Sequence, residues 1–318
     1  MKIYSIKIEN FRGIDKFDKK FVNPMTDEPL DIVVLTGPNG CGKTSILEGI
    51  VTTLTQKKTK DDKVFSKRNE RHGKPFSIMI KLLDERNEYN IHYSTPKPNE
   101  PLRINTEYTD RVEYFSSWRE PILKGALSVT LGKKGNRPQD VEANRLWNLK
   151  QFLIDSFVAD NLPNDVKYKN TSHKSAISQI KKALAHFYLG SDIEIKINRV
   201  SADISDGFDV YLKYPNSGNN YISLDELSSG EIELFSFLST IIRKDLTGGI
   251  LLIDEPELHL HVSWHRVILN ALRELLPKTQ IICATHSLDI IESVKSYERL
   301  VIKSDEDYKN GTVSAANE

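Results

Sequence analysis

Residues 37–44 read GPNGCGKT, and few folds can hold such a run. The pattern G-x-x-x-x-G-K-[ST] works only between a strand and a helix, and both are legible here. Asp31-Ile32-Val33-Val34-Leu35 is a short apolar run that reads as a buried strand. From Lys43 to about Leu54, Ile46, Leu47 and Ile50 fall on one face at helical spacing. Gly37, Gly40 and Gly42 let the backbone curl and turn its N–H groups inward. Lys43 adds a point charge, and Thr44 offers a hydroxyl to a divalent cation. Such a loop cradles phosphate. Asn39, Gly40, Cys41, Gly42, Lys43, Thr44 and Ser45 are therefore assigned to a bound nucleotide, ATP with Mg²⁺. A thiol at a helix N-terminus is acidified, which opens a redox reading of Cys41. The simpler reading, a small tolerated residue, is preferred.

GGILLIDE at 248–255 supplies what the cradle lacks. Its apolar residues bury a strand, and Asp254 emerges at the C-terminal end, where α/β sheets bind ligands. Asp254 is assigned, with Thr44, to the metal shell. Glu255 is placed to orient and polarise an attacking water. An acidic pair at a strand end also serves as a helix N-cap, but the cradle upstream favours catalysis. His286 follows a second buried strand in QIICATH and is assigned a catalytic place at the γ-phosphate, with a structural histidine as the competing reading. LSSGE at 227–231 opens an apolar helix, IELFSFLSTII. A Ser-Ser-Gly turn at a helix start is an anion site. Taken alone, it is also an ordinary N-cap with a nearby Glu.

The rest of the chain reads as alternating strands and helices. Residues 2–9 alternate as a strand rather than a signal peptide. FSIMIKLLD and YNIHYS form a hairpin pair, and VEYFSSW resumes strand character. LGKKGNRPQD at 131–140 is a linker, and 141–189 is helical. IEIKI and FDVYLKY are strands, a helix runs from about Ser263 to Leu276, LDIIESV is a short helix, and RLVIK is the last strand. A mainly parallel sheet follows from the alternation. With a formal net charge of zero, no global field advertises nucleic acid, so any such site is local. Gln56–Lys74 is the candidate. It carries eight Lys/Arg against Asp61, Asp62 and Glu70, and a solvated loop is the competing reading. Two cysteines, Cys41 and Cys283, imply no disulfide framework and a cytoplasmic setting. No apolar run approaches the roughly 20 residues that span a bilayer, so no membrane partner is expected.

The order of P-loop, LSSGE, LLIDEPE and ATHS resembles the head of an ABC-type ATPase. The opening IENFRGI and the run PELHLH resemble most the RecF, SMC-like and OLD-type branch, including AAA-type proteins of Septu-like and retron-associated anti-phage systems. The resemblance runs over nearly the whole chain. It implies an α/β fold, an ABC-ATPase head of the P-loop NTPase class. A mainly parallel core sheet, an antiparallel β subdomain and a helical lobe are expected, with no long coiled coil. One head would occupy 1–318. Within it, 1–135 is the P-loop lobe, 141–190 the helical subdomain, 191–303 the signature and switch lobe, and 304–318 a flexible tail. It further implies Mg-dependent ATP hydrolysis and a homodimer or higher oligomer packed head to tail. In that pair Ser228 and the N–H groups around Gly230 cap the γ-phosphate held by the partner. Arg12 touches nucleotide or partner; a surface charge is the alternative. His259, His261 and His265 belong to a loop that meets the partner head, with a metal cluster as the alternative.

The departures are specific. Ser229 and Glu231 stand where the family signature LSGGQ has Gly and Gln, and Val262 stands where related runs carry Pro. No glutamine is assigned to sensing Mg²⁺. A C-terminal nuclease domain, as in OLD-type nucleases, is not expected. The function implied is control of a separate effector, a nuclease or toxin, in anti-phage defence or DNA repair. The alternatives are a RecF-like DNA-binding repair ATPase, a slow nucleotide-gated scaffold that sequesters a toxin, and, weakest, a transporter energy subunit.

Overall fold

The computed structural model describes residues 1–55, 73–84, 87–95, 108–116, 145–161, 176–188, 193–200, 207–215, 217–244 and 246–302. The 131–140 linker, the basic stretch 56–72 and the tail from Ser304 lie outside the described residues. The chain divides into two compact units. One comprises Met1–Ser117, Leu246–Glu257 and Leu276–Glu318; the other comprises Trp118–Asp245 and Leu258–Leu275.

In chain order the elements begin with β1 (Lys2–Phe11), β2 (Ile14–Lys20), β3 (Ile32–Thr36), α1 (Lys43–Thr55), β4 (Ser77–Asp84), β5 (Asn87–Ser94) and β6 (Val112–Phe115). There follow α2 (Arg145–Asn161), α3 (Ala176–Phe187), β7 (Glu194–Arg199), β8 (Phe208–Lys213), β9 (Ile222–Ser223) and α4 (Ser229–Lys244). The series ends with β10 (Ile250–Asp254), α5 (Val262–His265), α6 (Ile268–Leu275), β11 (Gln280–Ala284), α7 (Leu288–Glu292) and β12 (Arg299–Val301).

The first unit is built on a parallel sheet ordered β12-β3-β11-β10-β6. Its central strands, ILLID and QIICA, are buried at every position, which is why they read as continuous apolar runs rather than alternating ones. Register aligns their ends. Asp254 pairs with Ala284, and Ala284 pairs with Leu35. The segments that follow β3, β10 and β11 therefore leave the sheet side by side. An antiparallel sheet ordered β2-β1-β4-β5 completes this unit. Buried Gln280 ties the two sheets together. Its Oε1 accepts from the Ile3 N–H at 2.6 Å, and its Nε2 donates to the Ile3 and Leu30 carbonyls, both at 3.0 Å. Ile46, Leu47, Ile50 and Leu54 of α1 are buried in the same core as Phe11 and Ile78.

The second unit holds the antiparallel sheet β7-β8-β9 and helices α2 to α6. The single helix expected over Ser263–Leu276 is two. Trp264 is buried and stacks edge-on against Phe187 and Tyr188, at 6.0 and 5.5 Å between ring centroids. Beside it the Val267 N–H donates to the Trp264 carbonyl at 3.1 Å, a tightened turn that closes α5 before α6 starts. The longest described helix, α2, has 17 residues, so no long coiled coil occurs among the described residues. None of them forms a helix long and apolar enough to cross a membrane.

Lys150 on α2 is fully buried, and its ammonium donates to Asp209 at 2.8 Å and Asp225 at 2.7 Å. Asp225 lies just ahead of LSSGE. Replacing Lys150 with Met would leave two partly buried carboxylates without their cation. Breaking a buried ion pair from one side costs about 3–5 kcal/mol. Lys150→Met is expected to lose that much in urea unfolding, and a loss near zero would show the triad to be solvated.

Candidate functional site

Positive φ angles shape the loop after β3. Gly37 sits at φ +149, and a Cβ there would lie 2.3 Å from the Ile302 carbonyl oxygen. Gly40 at φ +79 has open space around it, so conformation rather than crowding requires glycine. The Lys43 side chain curls under this loop. It is 7 % exposed, and its ammonium donates to the Gly37 and Pro38 carbonyls, each at 3.0 Å. Cys41 Sγ lies 3.8 Å from the same ammonium. The N–H groups of Lys43, Thr44 and Ser45 open α1, where no acceptor exists within the helix. N–H donors at a helix start that also carries a buried lysine are a fit for polyphosphate.

Thr44 is joined to Asp254 across the sheet. Its hydroxyl lies 2.9 Å from one carboxylate oxygen and 3.2 Å from the other. Asp254 is buried, so the pair presents hard oxygen ligands at a protected strand end, the donor chemistry that Mg²⁺ takes. Glu255 follows at φ +50, and its N–H donates to the Ala284 carbonyl at 2.8 Å. A glutamate in the left-handed region is uncommon, and such residues concentrate at functional sites. His286 is exposed, just beyond the adjacent strand. Arg12 lies at the β1–β2 turn, at φ +50, over the Phe11 ring, and is ion-paired with Glu48 on α1. These residues all belong to the first unit.

Ser228 and Gly230 lie in the second unit. The Ser228 hydroxyl donates to Glu231 Oε2 at 2.7 Å, and the Ser228 N–H donates to the same oxygen at 3.1 Å. The Glu231 N–H in turn approaches Ser228 Oγ at 3.3 Å. This is a reciprocal capping box, so the N-cap geometry exists alongside any anion role. Glu231 Oε1 accepts from Tyr214 at 2.6 Å and Tyr188 at 3.0 Å. Burial works to raise the Glu231 pKa, but the bonds from Tyr214, Ser228 and Tyr188 outweigh it and hold the carboxyl below its ordinary range. Burial, reinforced by that carboxylate, pushes both phenols up. Gly230 has a steric reason as well, because a Cβ there would sit 2.4 Å from the His259 carbonyl oxygen.

Two of the three histidines are used locally. His261 caps α5 by accepting from the Ser263 N–H, and His265 Nε2 lies 3.4 Å from the Leu260 carbonyl oxygen. His259 is exposed at φ +64. Among the described residues, no group of three His, Cys, Asp or Glu side chains could hold a metal ion, so the metal-cluster alternative finds no support. Cys283 is fully buried in β11, and burial pushes its thiol up. Glu257 went unassigned from sequence. Its Oε1 accepts from Thr285 Oγ1 at 2.7 Å, the His286 N–H at 3.0 Å and the Ser287 N–H at 3.2 Å. The available signal was a third acid in DEPE, one residue past Pro256.

A family model described as an AAA ATPase domain matches residues 1–124, and one described as an AAA domain matches residues 146–292. Septu protein PtuA of Bacillus thuringiensis is 24 % identical over 342 residues, covering 96 % of this chain and 76 % of that protein. Its namesake in Bacillus mycoides is 25 % identical over 296 residues, covering 90 % of this chain but only 38 % of that longer protein. The Escherichia coli protein named "Retron Ec83 probable ATPase" is 30 % identical over 191 residues, 51 % of this chain and 34 % of its own length. A solved SMC head bound to the C-winged helix domain of ScpA superposes with a TM-score of 0.56 at 13 % identity, over 92 % of each chain. That likeness is one of fold. Both parts of the sequence thus match models of AAA-type ATPase domains, and the chain has an SMC-head-like fold.

Proposed function

We propose that this chain binds and hydrolyses ATP, that two copies close head to tail around two nucleotides, and that the cycle controls a separate effector, a nuclease or toxin, in anti-phage defence. The Thr44–Asp254 contact supports the chemistry most directly. It joins the cradle to the acidic strand end across 210 positions of sequence. The names of the Septu and retron relatives support the setting.

Lys43 would exchange the Gly37 and Pro38 carbonyls for phosphate oxygens, and the first N–H groups of α1 would hold the rest of the charge. Thr44 and Asp254 would hold Mg²⁺, which when bound supplies positive charge at the phosphate oxygens. Glu255 would orient water and accept its proton, and His286, beyond the neighbouring strand, would donate to the γ-phosphate. Ser228 and the N–H groups near Gly230 would serve the nucleotide of the other copy.

The shared site is tested by mixing two dead variants. Ser228→Arg alone should bind ATP without turnover, because a bulky cation blocks the partner's phosphate. Lys43→Ala alone should be inactive. A mixed pair contains one site with an intact cradle from the first variant and an intact signature from the second. Random pairing in a two-fold dimer should return about a quarter of wild-type turnover. No recovery, with mixed pairs shown to form, would mean that each chain completes its own site.

A further inference from the structure

We infer that Glu257 is a positioning residue that sets the backbone on which His286 is presented, an inference that rests on the hydrolysis reading above. β10 and β11 are neighbours with Asp254 level with Ala284, so the segments after them leave the sheet together. The first crosses back immediately. The Glu255 N–H donates to the Ala284 carbonyl, and Pro256 is buried. This turn delivers the Glu257 carboxylate to the start of the second segment. One oxygen then gathers three donors from three successive residues: the Thr285 hydroxyl, the His286 N–H and the Ser287 N–H. The Ser287 N–H also lies 2.9 Å from Thr285 Oγ1, which closes the knot.

Bonds to an ionised acceptor are roughly twice as strong as neutral ones. Here they fix the peptide groups on both sides of His286. Thr285 is fully buried, and Ser287 caps α7 through the Ile290 N–H, so both flanks are anchored. The imidazole itself is exposed, and its direction follows from that backbone. Glu257 need not touch the nucleotide to govern the step that His286 serves. Its second oxygen is buried without a hydrogen-bond partner among the described residues, so the three donors on the first oxygen are what hold the charge. Removing the carboxylate takes away the acceptor shared by the His286 and Ser287 N–H groups and the Thr285 hydroxyl, and the ring loses its fixed origin.

The experiment is a double-mutant cycle in the full chain. Misplacing a reacting group by about 1 Å can cost on the order of 10²-fold in rate, so Glu257→Ala should lower kcat by about that factor with nucleotide affinity unchanged. His286→Ala should do the same, and the double variant should be no worse than either single one. Hydrogen exchange at His286 and Ser287 should accelerate in Glu257→Ala while β10 and β11 stay protected. If Glu257→Ala does not fold, Glu257→Asp, whose shorter arm cannot reach all three donors, takes its place with the same pattern expected. Multiplying losses in the double variant, or unchanged exchange at 286 and 287, would overturn the inference while the hydrolysis reading stands. A wild-type chain that binds ATP and never turns it over would defeat the hydrolysis reading and the kinetic role of Glu257 together.

Discussion

Glu255→Gln is expected to bind ATP normally and to slow hydrolysis by roughly 10²- to 10⁴-fold, the span that a general base contributes. The substitution is chosen because it disturbs little else. Glutamine has nearly the same shape, and the bond that holds residue 255 in its left-handed conformation comes from the backbone N–H to Ala284. What is lost is the negative charge and the site for a proton. With closure intact and chemistry stalled, copies should accumulate in the associated form, and sedimentation in ATP should show more of that form than for wild type. Unchanged turnover would move the base to another residue.

Lys43→Ala is expected to remove nucleotide binding. The ammonium is buried beneath the loop, so its charge acts in a medium that screens poorly. Hydrogen bonds to a charged group contribute about 1.5–3 kcal/mol each, so two phosphate contacts place the loss at roughly 10²- to 10⁴-fold in Kd. The Gly37 and Pro38 carbonyls would also lose their present donor and turn to water. Circular dichroism should be unchanged, because the sheet core does not include this side chain. Wild-type affinity by calorimetry would show that the cradle binds no phosphate.

The parallel sheet was legible because ILLID and QIICA are apolar at every position, a pattern that only burial on two faces sustains. The glycine-rich turn after β3 was legible because its glycines serve backbone requirements that do not depend on distant residues. β2 was not. In IDKFDKK only Ile14 and Phe17 are buried, three residues apart, so no alternation marks the strand. The break between α5 and α6 was hidden for another reason. The helical spacing continues through it, and the stop comes from Trp264 stacking on Phe187 and Tyr188, residues far away in sequence. Glu257 shows the same limit at the candidate site. A carboxylate two residues past Glu255 reads as one more acid, and only the register of β10 against β11 brings it under Thr285, His286 and Ser287. Tyr188 and Tyr214 likewise meet Glu231 only once α3, β8 and α4 are assembled.

The capping box at Ser228 bears on how two heads could meet. The hydroxyl that a second copy's phosphate would claim is already given to Glu231, whose other oxygen is held by two tyrosines. Closure would therefore begin as an exchange of acceptors, a carboxylate giving way to a phosphate, instead of the filling of a vacant donor. The free energy of such an exchange is the difference between two satisfied states, so the new contact yields far less than its bond strength in isolation. A glutamine at 231 would compete more weakly, being neutral. With glutamate the signature behaves as a latch fastened to its own chain. In the proposed pair, the negative charge of an approaching triphosphate would have to overcome that of Glu231, which would make association of the heads weaker and more dependent on what occupies the facing cradle.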